Sequence, residues 1–233
     1  MKISFITTCK GRAFHLKQTY LRNIKVANQE YDNVEFVLVN YDSPDDLDEW
    51  VTQNLSDLIL IGKVKYIRIQ NKKYYSHPHA TNIGVRLSEG EVVVVLEADN
   101  FLLSGFVASV VLGFRNGLDY MKFERKQGGS TSRIAINKKI FNYLNGFNES
   151  LSGWGYDDMD FFYRLSLLKY LKYEFFDKKF IAYIDHKSNF RRIHSPYLCL
   201  PIHISRNINV LKSKISIFFN GIIANKGRIY GNY

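Results

Sequence analysis

The sequence predicts an α/β protein with a mostly parallel central sheet flanked by helices, and three observations carry that prediction. Short β-rich runs alternate with helical patterns through the first half of the chain, which implies βαβ units with right-handed crossovers. Val92 to Leu96 is an unbroken apolar run, the mark of a strand buried on both faces of a parallel sheet. The chain is 233 residues long and 46% hydrophobic, enough to fill the core of one ordinary domain without disulfide or metal staples.

The elements follow in order. Ile3 to Thr8 reads as a strand, Phe14 to Val26 as a helix and Val34 to Asn40 as a second strand. A helix over Pro44 to Leu55 is expected next, with Ser43 as N-cap, Pro44 at its first position and Asp45 and Asp46 in its first turn. Val64 to Ile69 is a third strand, followed by a helix near Thr81 to Ser88 and then the buried strand. Beyond it the pattern loosens. Ser130 to Ile136 and Lys179 to Ile184 read as strands, and Lys138 to Leu144 and Asp158 to Leu168 as short helices. Near the end Ile208, Leu211, Ile215, Phe218 or Phe219, and Ile222 recur at helical spacing beside Lys212 and Lys214. That amphipathic helix either packs on the core or lies on a membrane.

Composition removes several classes. Cys9 and Cys199 are the only cysteines, which excludes a disulfide framework and a cysteine zinc cluster and suits a reducing cytoplasm. No run approaches a membrane span, and the opening apolar run is too short for a signal peptide, so a cytoplasmic protein is expected. The net charge is +10, but Lys187, Arg191, Arg192, Arg206, Lys212, Lys214, Lys226 and Arg228 fall after residue 186 with no Asp or Glu among them. Subtracting these eight from +10 leaves +2 on the rest of the chain. The basic tail is either a solvated face or a contact for an anionic partner: nucleic acid, a phospholipid surface or an anionic acceptor. Against nucleic acid, no recognised motif is present and the aromatics do not interleave with the basic run.

In open parallel sheets ligands sit beyond the C-terminal ends of strands. Those ends read Thr7-Thr8-Cys9-Lys10-Gly11-Arg12, Asn40-Tyr41-Asp42-Ser43, Gln70-Asn71-Lys72 and Glu97-Ala98-Asp99-Asn100. Neither GxGxxG nor GxxxxGK[ST] occurs where a dinucleotide or P-loop site needs it. Glu97 and Asp99 are either an acidic cap or the one or two carboxylates that a hard cation on a diphosphate wants. In Gly153-Trp154-Gly155-Tyr156-Asp157-Asp158-Met159-Asp160, three acids open a helix, which the helix dipole favours. They nevertheless repel one another, and a Trp between glycines fits a loop that swings over a substrate and stacks on a sugar, with one carboxylate as general base. His186 is a metal ligand by residue type or a structural histidine at a strand end.

The order Asn82-Ile83-Gly84, the acid-x-Asp motif at Glu97 to Asp99, Gly128-Gly129, Asn145-Gly146-Phe147, and Gly153-Trp154-Gly155 with Asp157-Asp158 resembles the GT-A-fold inverting glycosyltransferases. The likeness is to the catalytic region of the β-1,4-galactosyltransferases and related bacterial polysaccharide transferases. The resemblance implies a catalytic domain over residues 1–190, with a nucleotide-binding half to about 100 and an acceptor half from 101 to 190, then a basic extension over 191–233 carrying the amphipathic helix. It implies Mn²⁺, or Mg²⁺, on Asp99 and His186, with His203 a rival by local sequence. Thr8, Arg12, Asp42, Asn82, Glu97, Asp99 and Gly129 would bind the donor, Asp42 beside the base. Trp154, Gly155 and Asp157 would bind the acceptor, and Asp158 would be the catalytic base. Two departures stand out: Glu97 replaces the usual first Asp of the DxD motif, and Tyr156 stands where the family usually has Gly. The implied activity is inverting transfer of a hexose, galactose or N-acetylgalactosamine, from a UDP-sugar to a hydroxyl of a glycan or lipid-linked glycan, in surface polysaccharide or lipid-linked glycan synthesis. The enzyme would sit free in the cytoplasm or peripherally on an anionic membrane. The alternatives are a non-catalytic nucleotide-sugar-binding domain and a basic nucleic-acid-binding protein.

Overall fold

A computed structural model describes residues 1–124, 132–185, 194–197 and 200–232. Its centre is a seven-stranded sheet of order β3-β2-β1-β4-β6-β5-β7. The strands are β1 (Ile3–Cys9), β2 (Val34–Tyr41), β3 (Val64–Ile69), β4 (Val92–Val95), β5 (Tyr120–Lys122), β6 (Ile134–Asn137) and β7 (Tyr173–Phe175). β1 pairs in parallel with both β2 and β4, β2 with β3, and β5 with β7, while β6 runs antiparallel between β4 and β5. The mostly parallel α/β sheet expected from the sequence is what forms.

Both sheet faces are covered, and β4 shows why its sequence has no polar position. Val92 and Val94 enter one core with Leu16, Tyr20 and Ile24 of α1 (Ala13–Glu30), Val51 of α2 (Leu47–Leu60) and Val110 of α4 (Phe106–Arg115). Val93 and Val95 enter the other with Ile83 of α3 (His77–Leu87), Phe141 of α5 (Lys138–Tyr143) and Phe161 of α6 (Asp157–Ser166). Side chains alternate across a strand, so a strand buried twice must be apolar throughout.

Some boundaries differ from the sequence expectation. α2 begins at Leu47, not Pro44, because Ser43 is taken by a neighbour: its hydroxyl accepts from Gly11 N at 2.6 Å and donates to Asp45 at 2.7 Å. Asp45 accepts from Ala13 N at 2.8 Å and so serves the start of α1. α3 begins four residues earlier than expected, at His77, with Ser76 as N-cap and Pro78 in its first turn. The strand expected over Lys179 to Ile184 is a 3₁₀ turn at Lys178–Phe180 and an isolated bridge from Tyr183 to Asn100. Asp177 caps that turn by accepting from Lys179 N, which starts the chain curling rather than extending.

Of the two placements left open for the last helix, α7 (Ile202–Asn220), packing of its apolar stripe on the core is not the one that forms. Its buried positions are Ser205, Asn209 and Ser213, while Leu211, Ile215, Phe218 and Phe219 face outward. Ser213 donates to Asp160 at 2.5 Å, and Asp160 is paired with Arg164 at 2.8 Å in a fully buried cluster tying α7 to α6. None of the helices among the described residues is long and apolar enough to cross a membrane.

Gly84 sets how closely α3 approaches the sheet: a Cβ there would come within 2.5 Å of the Ile6 side chain on β1. We expect Gly84→Ala to destabilise the fold by about 1–3 kcal/mol through overpacking. Urea unfolding measures this, and an unchanged midpoint would show that α3 can shift without penalty.

Candidate active site

The chain winds from β1 to β2 and β3 on one side, then returns to place β4 on the other side of β1. At such a switch point the loops beyond the two strand ends diverge and leave a crevice. A cavity of about 550 Å³ lies here. Thr8, Lys10 and Arg12 reach it from the end of β1, and Glu97, Ala98 and Asp99 from the end of β4. The opposing wall is Gly153, Trp154, Gly155, Tyr156, Asp157 and Asp158. The sequence-predicted residues Thr8, Arg12, Glu97, Asp99, Trp154, Gly155, Asp157 and Asp158 therefore meet in one space.

Two ion-pair contacts join the strand ends to their surroundings. Arg12 lies 3.3 Å from Asp99, whose other oxygen accepts from the Asn100 amide at 2.7 Å. His77, at the first position of α3, stands between the walls, with Nε2 3.1 Å from Glu97 and Nδ1 2.6 Å from Asp157. Burial alone would lower the imidazole, but the charge of Glu97 and the hydrogen bond to Asp157 outweigh it and raise His77 well above its usual value. Burial would likewise raise Glu97, yet His77 and then Arg12 bring its carboxyl below the usual range. The two shifts agree in sign: at neutral pH the pair is imidazolium and carboxylate.

Asp158 behaves differently from its neighbours. Burial, then the charge of Asp157, pushes its carboxyl up to about 6, against a hydrogen bond accepted from Met159 N at 2.8 Å. The three acids of the motif thus have three fates. Asp157 pairs with His77, Asp160 with buried Arg164, and Asp158 is left facing the cavity with the pKa of a group that exchanges protons near neutrality.

The loop before α6 is held from behind by the polar face of α7. The Asn209 amide donates to the carbonyls of Ser152 (3.0 Å) and Gly155 (2.8 Å) and accepts from Ser152 N at 3.2 Å. Ser205 accepts from Trp154 N and donates to Trp154 O, both at 3.2 Å. The Arg206 guanidinium lies 5.9 Å from the centre of the Tyr156 ring.

Asn82 stands elsewhere. It is fully buried, its amide donates to Phe147 O (2.9 Å) and Glu149 (2.7 Å), and its carbonyl accepts from Phe147 N (2.8 Å). It holds the Asn145-Gly146-Phe147 turn on α3 and is not among the residues that line the cavity. Asp42 also lies outside the cavity lining, accepting from Lys72 N at 2.8 Å. It adjoins the cavity through Lys10, whose ammonium donates to the carbonyls of Asp42 (2.5 Å) and Lys72 (2.7 Å). Gly129 and His186 lie outside the described residues. His203, the rival metal ligand, is exposed on α7 and does not line the cavity.

Sequence reasoning set Lys10 at the first strand end and Arg206 in the basic tail without assigning either a role in the site, and it missed Tyr75, His77, Lys122 and His194; all six line the cavity. The cap at Ser76 with Pro78 could have placed His77 at a helix start facing the strand ends. Tyr75, Lys122 and His194 carried no local signal.

Such a crevice suits a nucleoside diphosphate bearing a sugar: cations and a carboxylate pair beside one sheet edge, an aromatic loop with a proton-accepting acid opposite. The fold and the site together define a nucleotide-sugar glycosyltransferase of GT-A architecture. Residues 4–185 match the model of glycosyl transferase family 2, and the chain belongs to that family. Among solved structures it is similar to the mannosyltransferase PcManGT of Pyrobaculum calidifontis, in complex with GDP-Man and Mn²⁺: TM-score 0.66, 15% identity, 94% of this chain and 70% of that one. It is also similar to residues 1–349 of S. aureus TarS, with TM-score 0.61, 14% identity, and 94% and 73% of the two chains covered. The same TarS segment in complex with UDP-GlcNAc gives TM-score 0.57 at 13% identity, over 94% and 73% of the two chains. At such identities the likeness establishes the fold alone. No curated protein matches the chain.

Removing the imidazole would leave Glu97 and Asp157 without their shared cation in a largely desolvated space. We expect His77→Ala to cost about 2 kcal/mol or more of stability, measurable by urea unfolding at neutral pH. A loss under about 0.5 kcal/mol would mean that solvent already screens the pair.

Proposed function

We propose that the chain is an inverting, metal-assisted hexosyltransferase. It moves galactose or N-acetylgalactosamine from a UDP-sugar to a hydroxyl of a glycan or lipid-linked glycan acceptor, in surface polysaccharide or lipid-linked glycan synthesis. The observation that carries the reading is Asp158: a half-buried carboxylate with its pKa raised to about 6, in the same cavity as the Arg12–Asp99 and His77–Glu97 contacts. A base poised near neutrality, opposite a cationic strand edge, is what transfer to a hydroxyl requires.

The donor set fits a hard cation that rides on a diphosphate. Glu97 and Asp99 offer carboxylate oxygens to the cavity, and among the described residues no group of three His, Cys, Asp or Glu is placed to hold a metal ion by itself. Mg²⁺ and Mn²⁺ on nucleotides take one or two protein carboxylates and fill the remaining positions with phosphate oxygens and water. Asp99, with Glu97 beside it and His186 as the further expected ligand, would hold the ion. When bound, the ion would supply positive charge to the leaving diphosphate. Manganese in the PcManGT complex supports this choice by analogy of fold.

The chain's own residues do the rest. Arg12 and Lys10 add positive charge at the end of β1, where the diphosphate would lie, and Thr8 and Asp42 would position the nucleoside. Trp154 and Gly155 would form the acceptor platform, with Asp157 fixed by His77 to receive an acceptor hydroxyl. Asp158 accepts the proton of the attacking hydroxyl as its oxygen bonds to the anomeric carbon. The bond from that carbon to the diphosphate breaks on the opposite face, and UDP leaves with the electron pair. One displacement inverts the centre.

Two outcomes are expected. Asp158→Asn should lower the transfer rate by about 10²–10⁴-fold while nucleotide binding stays unchanged, and loss of nucleotide binding would remove the base assignment. In the wild type the base must be ionised. With its carboxyl raised to about 6, the rate should fall about tenfold per pH unit below that value and level off above it, as a pH–rate profile would read. Titration calorimetry with UDP, GDP and CDP, each with Mn²⁺ and with EDTA, tests the donor. Tight UDP binding with Mn²⁺ alone is expected, and preference for GDP or indifference to EDTA would overturn the donor or the metal.

A further inference from the structure

Helix α7 is amphipathic in the opposite sense to a helix that covers a core. Its inward face is Ser205, Asn209 and Ser213, committed by hydrogen bonds to the Trp154 loop and to Asp160. Its outward face carries Ile204, Leu211, Ile215, Phe218 and Phe219, which share one stripe at 3.6-residue spacing. Leu211 is 60% exposed, Phe218 83% and Phe219 71%. No rotation of the helix could bury the stripe without breaking the bonds that hold the loop. A contiguous exposed apolar stripe of this kind is a contact surface.

Its electrical setting selects the partner. Lys214 flanks the stripe on the helix, and Lys226 and Arg228 follow it, all three exposed. Two other basic groups turn inward: Lys212 donates to Ser150 O at 3.0 Å, and Arg206 lies over Tyr156. The sequence has no Asp or Glu anywhere after residue 186. A second copy of a chain with net charge +10 would bring like charges together, and nucleic acid has no complement for Phe218, Leu211 and Ile215 on one face. An anionic bilayer matches both properties, its acyl boundary taking the stripe and its headgroups the lysines and arginine. We propose that α7 docks the protein on anionic lipid, with Phe218 and Phe219 inserted. Because the inner face of the same helix holds Ser152 to Gly155, docking brings the acceptor wall of the cavity to the lipid surface. This use, unlike the docking itself, rests on the transferase reading above.

The test is flotation of the full chain with vesicles of phosphatidylcholine alone and of phosphatidylcholine with about one-third phosphatidylglycerol. The protein should float with the anionic vesicles only. Phe218→Ser with Phe219→Ser should weaken partitioning about tenfold or more, and Lys214→Glu, Lys226→Glu and Arg228→Glu about fivefold each. All five positions are exposed, so UDP binding in solution should persist in every variant and separates lost docking from lost folding or a wrong donor. Failure to float, equal flotation of the variants, a solution dimer abolished by the Phe substitutions, or tighter binding to an oligonucleotide than to vesicles would each overturn the proposal.

Discussion

The cavity can exist because of one cation, His77, held between Glu97 at the end of β4 and Asp157 at the start of α6. The two acids come from opposite walls and distant parts of the chain, and both are largely removed from water. Left alone they would repel across a space too poorly solvated to screen them. The imidazolium turns that repulsion into a tie between the walls. Its position is set by ordinary helix chemistry: Ser76 caps α3, Pro78 fixes the first turn, and Gly84 lets the helix press on Ile6 of β1. The same tie separates the roles of the adjacent acids. Asp157 is fixed by its pairing with His77, whereas Asp158, pushed up by burial and by the charge of Asp157, is left able to take up a proton near neutrality.

How much of this could be read beforehand varied with the range of the interactions involved. The alternation of β1 to β4 with α1 to α3 was legible because each element states its burial in its own residues, as Val92 to Val95 do most plainly. Helix α4 was not, because its start is satisfied from far away: Glu30, at the end of α1, accepts from Gly105 N, Val107 N and Ala108 N. β5 and β7, three residues each, are too short to show a period and exist only by pairing with neighbours. Motif reading brought eight residues of the site together, since strand ends and helix starts are local. It grouped Asn82 with them, whereas the structure sets that residue in a buried turn outside the cavity lining, because a buried amide serving a turn and one serving a ligand look alike in sequence.

α7 shows the same limit from the other side. Its periodicity was visible and its direction was not. A hydrophobic stripe says that one face differs from the other, while the fold decides which face turns inward. Here the decision falls to polar partners. Asn209 and Ser205 have loop carbonyls and amides to bind, and Ser213 has the buried Asp160–Arg164 pair. Buried groups of that kind strongly penalise any arrangement that leaves them unpaired. An apolar stripe in water loses less than a buried carboxylate deprived of its donors, so the polar face wins the interior.

Tyr156 marks where this chain departs from the motif of the transferases it resembles. The resemblance expects glycine there, and the backbone explains why: φ is 77° and ψ −6°, a left-handed conformation that disfavours side chains by roughly 1–2 kcal/mol. A non-glycine residue stays in such a conformation only where its surroundings hold it. They do so through Asp160 N, which donates to Tyr156 O at 2.8 Å, the Gly155 carbonyl fixed by Asn209, and Arg206 over the ring. That conformation is one glycine would adopt without strain, so the ring stands there at a conformational cost. Tyr156 lines the cavity beside Trp154, on the wall opposite Arg12 and Asp99. An aromatic ring presents a sugar with an apolar face and a hydroxyl, where glycine presents only backbone. On the reading proposed above, the wall assigned to the acceptor thus carries a second aromatic beside Trp154. If Trp154 and Tyr156 do face the acceptor, a change at Tyr156 would bear on the choice of acceptor before it bears on the nucleotide, because the ring stands across the cavity from Arg12 and Asp99.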